Sequence, residues 1–200
     1  MTSDHAHRLV DVLVAGAVLW ATLPILAVAS IAIKLDDGGP LIHRRRVAGK
    51  GGHEFDALKL RTMRPDAEEW LRSQPDLLDD FRRFHKLQND PRITRVGRVL
   101  RMLSVDELPQ LINVLRGEMS MVGPRIVTAA EVPLFGEAGA VRQSVRPGLT
   151  GLWQVSNRGE RNFQIRAQLD AEYVRRRSVT YDLTIMAKTI PAVVRRRGAV

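Results

Sequence analysis

Asp106 and Glu107 stand side by side in the stretch RITRVGRVLRMLSVDELPQLINVLRGEMSMVGPR, residues 92–125. The residues alone leave two readings open. Ser104-Val105-Asp106-Glu107 has the form of a capping box, with Ser at the N-cap and Glu at N3. The two carboxylates then complement the positive end of a first helical turn. Pro109 cannot donate to the carbonyl of Val105, which leaves that acceptor open. The chemical reading uses the same position. A carboxylate at a helix N-terminus is expected to stay ionised at neutral pH. Between Arg101 and Arg125 it is placed to attack an electrophilic phosphorus or to hold Mg²⁺. Neighbours on a helix point ~100° apart, so one of the pair is expected to be the nucleophile and the other to hold metal or orient it.

Arg92, Arg95, Arg98 and Arg101 recur every three residues just upstream. That spacing predicts one drifting helical face. Such a face attracts phosphates, nucleic acid or anionic lipid, or is simply a solvated charged surface.

The elements that must position these residues begin with an apolar run. Leu9–Leu35 holds 21 apolar residues of 27, with Asp11 and Lys34 its only charges. As one helix it would be ~40 Å long, enough to span a bilayer core of roughly 30 Å. A cleaved signal peptide, a single span and a re-entrant helix pair all compete for it. Pro24 predicts a break that leaves two pieces, neither long enough to cross alone. Cations lie at both ends, Arg8 before and Lys34, Arg44, Arg45 and Arg46 after, so charge selects no inside end. Beyond it, 41–47 and 54–60 read as two short strands joined by Gly49, Gly51 and Gly52. Residues 66–88 read as helix interrupted at Pro75. Residues 94–122 read as mainly helical, broken near Ser104 and ended at Gly123-Pro124. Residues 164–195 read as helix split around 175–178 and around Pro191. The tail from Tyr181 to Val200, with Arg195, Arg196 and Arg197, reads as an interfacial helix on anionic lipid or as a core-packed helix with a basic end.

The chain has 200 residues and a net charge of +9. With 44% hydrophobic residues it is not disordered. It has no Cys, which excludes disulfides, thiolate metal sites and a Cys nucleophile. Aromatics are 5%, and no nucleic-acid module is recognisable. A membrane-tethered nucleic-acid binder is therefore the weakest of the rival readings.

The segment 104–125 resembles the signature of the bacterial sugar transferase family, the small monotopic polyprenyl-phosphate phosphoglycosyl transferases. The similarity runs along nearly the whole chain. It takes in Arg8, Asp11, Pro24 and Gly39-Pro40, then Phe55 with Lys59-Leu60-Arg61-Thr62-Met63. It continues through Asp90-Pro91-Arg92-Ile93-Thr94, Gly97, Leu100-Arg101, the 146–151 run RPGLTG, Gln154, Arg158, Asp170, Tyr173 and Asp182.

The resemblance implies an α+β, mostly helical fold. Residues 1–36 would form a re-entrant membrane helix hairpin broken at Pro24. Residues 37–200 would form a cytoplasmic catalytic domain with a few short strands and interfacial amphipathic helices. The implied reaction moves sugar-1-phosphate from a UDP-sugar to polyprenyl phosphate with release of UMP, the first membrane step of glycan assembly. It implies Asp106 as the nucleophile of an aspartyl-phosphosugar intermediate, assisted by Glu107, with Mg²⁺ as cofactor held by the same pair. Candidate phosphate and nucleotide ligands are Arg92, Arg101, Arg125, Arg146 and Arg158, with Lys59 and Arg61 behind them. The implied setting is the bacterial inner membrane and its lipid, with downstream glycosyltransferases and a homodimer as further partners and no nucleic acid. Three positions depart from the family pattern: Val47 where Arg is usual, Ile126 where Pro is usual, and Asn157 where Gly is common. These departures keep an inactive membrane scaffold as the alternative.

Overall fold

The computed structural model describes residues 2–84, 87, 89–156 and 162–194. Helix α1, Thr2–Asp37, carries the apolar run. Among the described residues it is the one helix long and apolar enough to cross a membrane. It passes through Pro24 as a single helix, so the expected division into two helices is not seen. Just before the proline, the Thr22 hydroxyl donates back to the carbonyls of Val18 and Leu19, at 2.7 and 3.2 Å.

Both ends of α1 are built into the body of the protein. Near its start, Ala15 lies in the main core with Leu111, Val114, Met121, Tyr173 and Ile185. Near its end, Ala29 and Ile33 pack with Leu60 and Leu100 in a second cluster. Polar bonds reinforce each end. Asp11 accepts from the Ser120 hydroxyl and the Met121 amide, both at 2.8 Å. Asp37 takes the Arg61 guanidinium in a bidentate pair. Between these anchors Trp20 is 78% exposed, and Leu23, Ile25, Val28 and Ile31 are also exposed.

The hairpin forms as read, with β1 at Ile42–Ala48 and β2 at Glu54–Leu60 pairing antiparallel. The register sets His43 opposite Lys59 and Val47 opposite Phe55. Helices α2, Ala67–Arg72, and α3, Pro75–Phe84, divide at Pro75 as expected.

The central stretch is less helical than its pattern suggested. Helix α4 spans Arg95–Met102, a 3₁₀ turn covers Val105–Glu107, and α5 spans Gln110–Arg116. Gly117, at φ 83, ends α5 in the left-handed region. Ser120–Val122 is then a strand, β3, paired in parallel with β4, Gly148–Thr150. The remaining α-helices are α6 (Ala138–Gln143), α7 (Leu152–Ser156), α8 (Phe163–Arg176) and α9 (Val179–Val194). The split near 177 is present, but α9 runs through Pro191 without one. Its Ile185 enters the main core while Leu183 and Ile190 stay exposed. Arg195–Arg197 lie outside the described residues.

Candidate active site

The acidic pair sits on the 3₁₀ turn between α4 and α5. Ser104 enters that turn with φ 56 and no side-chain cap, so the expected capping box does not form. The Val105 carbonyl is not left open either, because the tighter turn lets the Leu108 amide reach it at 3.2 Å. The turn buries Asp106 to 2% exposure and leaves Glu107 partly exposed.

Lys59 reaches the pair from β2. Its Nζ lies 2.8 Å from Asp106 Oδ2 and 3.7 Å from Glu107 Oε1. One ammonium thus bridges two neighbours that an α-helical turn would have aimed apart. Arg125 closes on Glu107 from the loop after β3, with Nη2 to Oε1 at 2.6 Å and Nη1 to Oε2 at 3.4 Å. Arg101 comes from the last turn of α4. Its Nε donates to Thr62 Oγ1 at 2.8 Å, and its charge acts on both carboxylates. That approach depends on Gly97, where a Cβ would come within 2.0 Å of the Thr62 carbonyl oxygen.

Burial pushes the Asp106 carboxyl above its ordinary range, with Lys59 pulling against it. The expected α-helix N-terminus is not what surrounds the carboxyl: the pair sits on a 3₁₀ turn, where burial and the Lys59 charge act on it in opposite directions. Among the described residues no cluster of three or more His, Asp or Glu surrounds the pair. Two adjacent carboxylates without a third suit Mg²⁺, which takes one or two protein carboxylates and completes its shell with substrate phosphates. Asp106 and Glu107 are the residues that would hold that ion here.

The structure brings Lys59, Arg101 and Arg125 to the pair and places the other candidates elsewhere. Arg92 precedes α4 and is closed into a bidentate pair with Asp90, at 2.9 and 2.6 Å. Arg95 and Arg98 are exposed on α4, so the four arginines form no common face. Arg61 holds Asp37 at the end of α1 and donates to the Pro40 carbonyl at 2.6 Å. Arg146 donates to the Gly117 carbonyl at 2.8 Å, beyond the far end of α5. Arg158 and Asn157 lie outside the described residues. Val47 points into the core, and Arg46 beside it pairs with Asp56 at 3.4 Å. Ile126 packs against the main core.

Two neighbours of the site were missed in the sequence. Thr62 carries no chemical signal of its own in the sequence, yet it is the partner that seats Arg101. His43 lies opposite Lys59 across the hairpin, and partial desolvation followed by the Lys59 charge pushes its imidazole down. The two-residue strand period, with the register given by the Gly-rich turn, was the signal available for His43.

The model of the bacterial sugar transferase family matches residues 2–196. The exopolysaccharide production protein ExoY of Rhizobium meliloti is 45% identical over 198 residues, covering 97% of this chain and 88% of that protein. The UDP-glucose:undecaprenyl-phosphate glucose-1-phosphate transferase of Caulobacter vibrioides is 40% identical over 207 residues, covering 96% and 70%. The undecaprenyl-phosphate galactose phosphotransferase of Salmonella typhimurium is 40% identical over 167 residues, covering 82% of this chain and 35% of that longer protein. A match of that extent, over a chain whose acidic pair is ringed by Lys59, Arg101 and Arg125, makes this protein a member of the bacterial sugar transferase family.

Proposed function

We propose that the protein transfers sugar-1-phosphate from a UDP-sugar to polyprenyl phosphate, releasing UMP, with Asp106 as the nucleophile. The observation that carries this is the Lys59 ammonium, 2.8 Å from a carboxylate buried on a turn beside a second carboxylate. An Asp106 oxygen attacks the sugar-bearing phosphorus. The bond from that phosphorus to the bridging oxygen breaks, and its electron pair leaves with UMP. A phosphate oxygen of polyprenyl phosphate then attacks the same phosphorus. The aspartyl–phosphorus bond breaks, and Asp106 returns as a carboxylate. Lys59 keeps Asp106 anionic before attack, and Arg101 and Arg125 offset charge on the diphosphate. Glu107 fixes Arg125 in place. When bound by Asp106 and Glu107, Mg²⁺ supplies charge neutralisation and alignment of the diphosphate oxygens.

The same proposal places α1 as a re-entrant segment dipping into one leaflet, with the catalytic body on the cytoplasmic face. Support comes from its anchors. Asp4, paired with Arg177, and Asp11 at one end are bonded to the same body as Asp37 at the other, while the apolar middle is exposed. A spanning path would carry one of those ends across the bilayer.

The test is UMP release by detergent-solubilised protein with Mg²⁺ and polyprenyl phosphate across a panel of UDP-sugars. Intact-mass analysis without acceptor should show a sugar-phosphate adduct that is absent in Asp106→Asn. A panel that yields neither UMP nor adduct from folded protein overturns the assignment.

A further inference from the structure

Asn113 lies on α5, fully buried at 0% exposure, and faces the edge of β2 that β1 does not cover. Its Oδ1 accepts from the Leu58 amide at 3.0 Å. Its Nδ2 donates to the Asp56 carbonyl at 2.9 Å and to Glu118 Oε2 at 2.6 Å. One side-chain amide thus supplies what a peptide group of a neighbouring strand would supply, an acceptor for one backbone amide and a donor for the carbonyl two residues earlier. The orientation is chemically determined. Glu118 and the Asp56 carbonyl only accept, so the amide nitrogen must face them and the oxygen must face Leu58.

We propose that Asn113 is a positioning residue for the transfer: by pinning the free edge of β2 at Asp56 and Leu58, it aims Lys59 at Asp106. This rests on the reading of Asp106 as the reacting group. Lys59 follows Leu58 directly. A strand has a side-chain period of two, so a one-residue shift at this edge turns Lys59 to the opposite face. Lys59 bonds Asp106 from a strand held by β1 on one edge and by this amide on the other, and α5 also follows directly from the turn that carries the pair. Asn113 therefore ties the element bearing the cation to the element that follows the nucleophile. Its amide bonds Leu58, Asp56 and Glu118 rather than the acidic pair, and its effect passes through the β2 backbone.

The experiment uses the full chain in detergent with UDP-sugar, Mg²⁺ and polyprenyl phosphate. Asn113→Ala, Lys59→Met and the double variant are compared, with hydrogen exchange followed on the peptide containing Leu58. Asn113→Ala is expected to speed exchange at Leu58 and lower kcat at least about tenfold, with KM for the donor held within about threefold. In the double variant the second substitution should cost far less than it does alone, as for two residues acting through one contact. Glu118→Leu, which removes one of the two acceptors that orient the amide, should reproduce the effect in milder form. It carries the test if Asn113→Ala does not fold. Faster exchange at Leu58 with unchanged kcat, or losses that multiply in the double variant, overturns the positioning role and leaves the transferase reading standing. Wild-type protein that releases no UMP overturns both, whatever the exchange shows.

Discussion

Two aspartates about one helix apart meet cations in opposite ways. Asp90 is saturated by Arg92. It accepts from Nε and Nη2 and also from the Arg92 backbone amide at 3.0 Å. Burial pushes its carboxyl up, but the bonds and charge of Arg92 outweigh that and hold it below its ordinary 3.8. Asp106 is buried as deeply yet has the single ammonium of Lys59 at bonding distance, and burial wins. A planar guanidinium with its fork matched to a carboxylate consumes the lone pairs it meets. An ammonium is a point charge that leaves most of them open. One aspartate is spent on the fold, and the other keeps the capacity to bond phosphorus or metal.

Replacing each by Asn separates the two uses. Asp106→Asn should lower UMP release by at least about a thousandfold, since the nucleophile itself is gone. It should leave the thermal midpoint unchanged or raised, because a buried charge that costs stability is removed. Lys59 keeps Glu107 as a partner at 3.7 Å. Asp90→Asn should do the reverse. It sets an amide NH₂ against Arg92 Nη2 and strands a guanidinium that is 6% exposed. The expected loss is about 3–5 kcal/mol of stability, measured by denaturant unfolding. Turnover per folded molecule should stay within about tenfold, since Arg92 is closed on Asp90 rather than on the acidic pair. A large loss of stability in Asp106→Asn, or of turnover per folded molecule in Asp90→Asn, would break the comparison.

The two uses could not be told apart from the sequence. Arg92 and Arg101 read as members of one face because both fall on a spacing of three. What divides them is that α4 starts at Arg95, leaving Arg92 beside Asp90, two residues away. The hairpin 42–60 and the break at Pro75 were legible because Gly and Pro act locally. The pairing of β3 with β4 was not. Each strand is three residues long, and partners 28 residues apart in sequence, such as Ser120 and Gly148, leave no periodic trace. Lys59 was legible as a candidate but not as the bridging cation, since a strand pattern gives the face and not the depth of Asp106. Asp37 carries no signal of its role in the sequence, and its bond to Arg61 appears only when the end of α1 meets the body.

A third aspartate sharpens the comparison through pH. Asp170 lies 3.3 Å from Arg142 Nε, a cation met at its edge rather than by its fork. Burial raises its carboxyl to about 6 despite that charge and the further charge of Arg166. Between 3.8 and about 6 the folded protein therefore binds more protons at this site than the unfolded chain does. Linkage then requires that its contribution to stability fall as pH rises through that window, by on the order of 2–3 kcal/mol. For Asp90 the sign is opposite. Its stabilisation is present above 3.8 and is lost only as pH falls below that, through the folded value. Urea midpoints against pH measure both. Wild type should lose ground to Asp170→Asn from pH 4 to 6 and then run parallel to it. The gap to Asp90→Asn should stay constant from pH 5 to 7 and close only in stronger acid. A wild-type curve parallel to Asp170→Asn across pH 4 to 6 would mean that Arg142 saturates Asp170 as fully as Arg92 saturates Asp90, and that the number of donors does not separate the two kinds of aspartate.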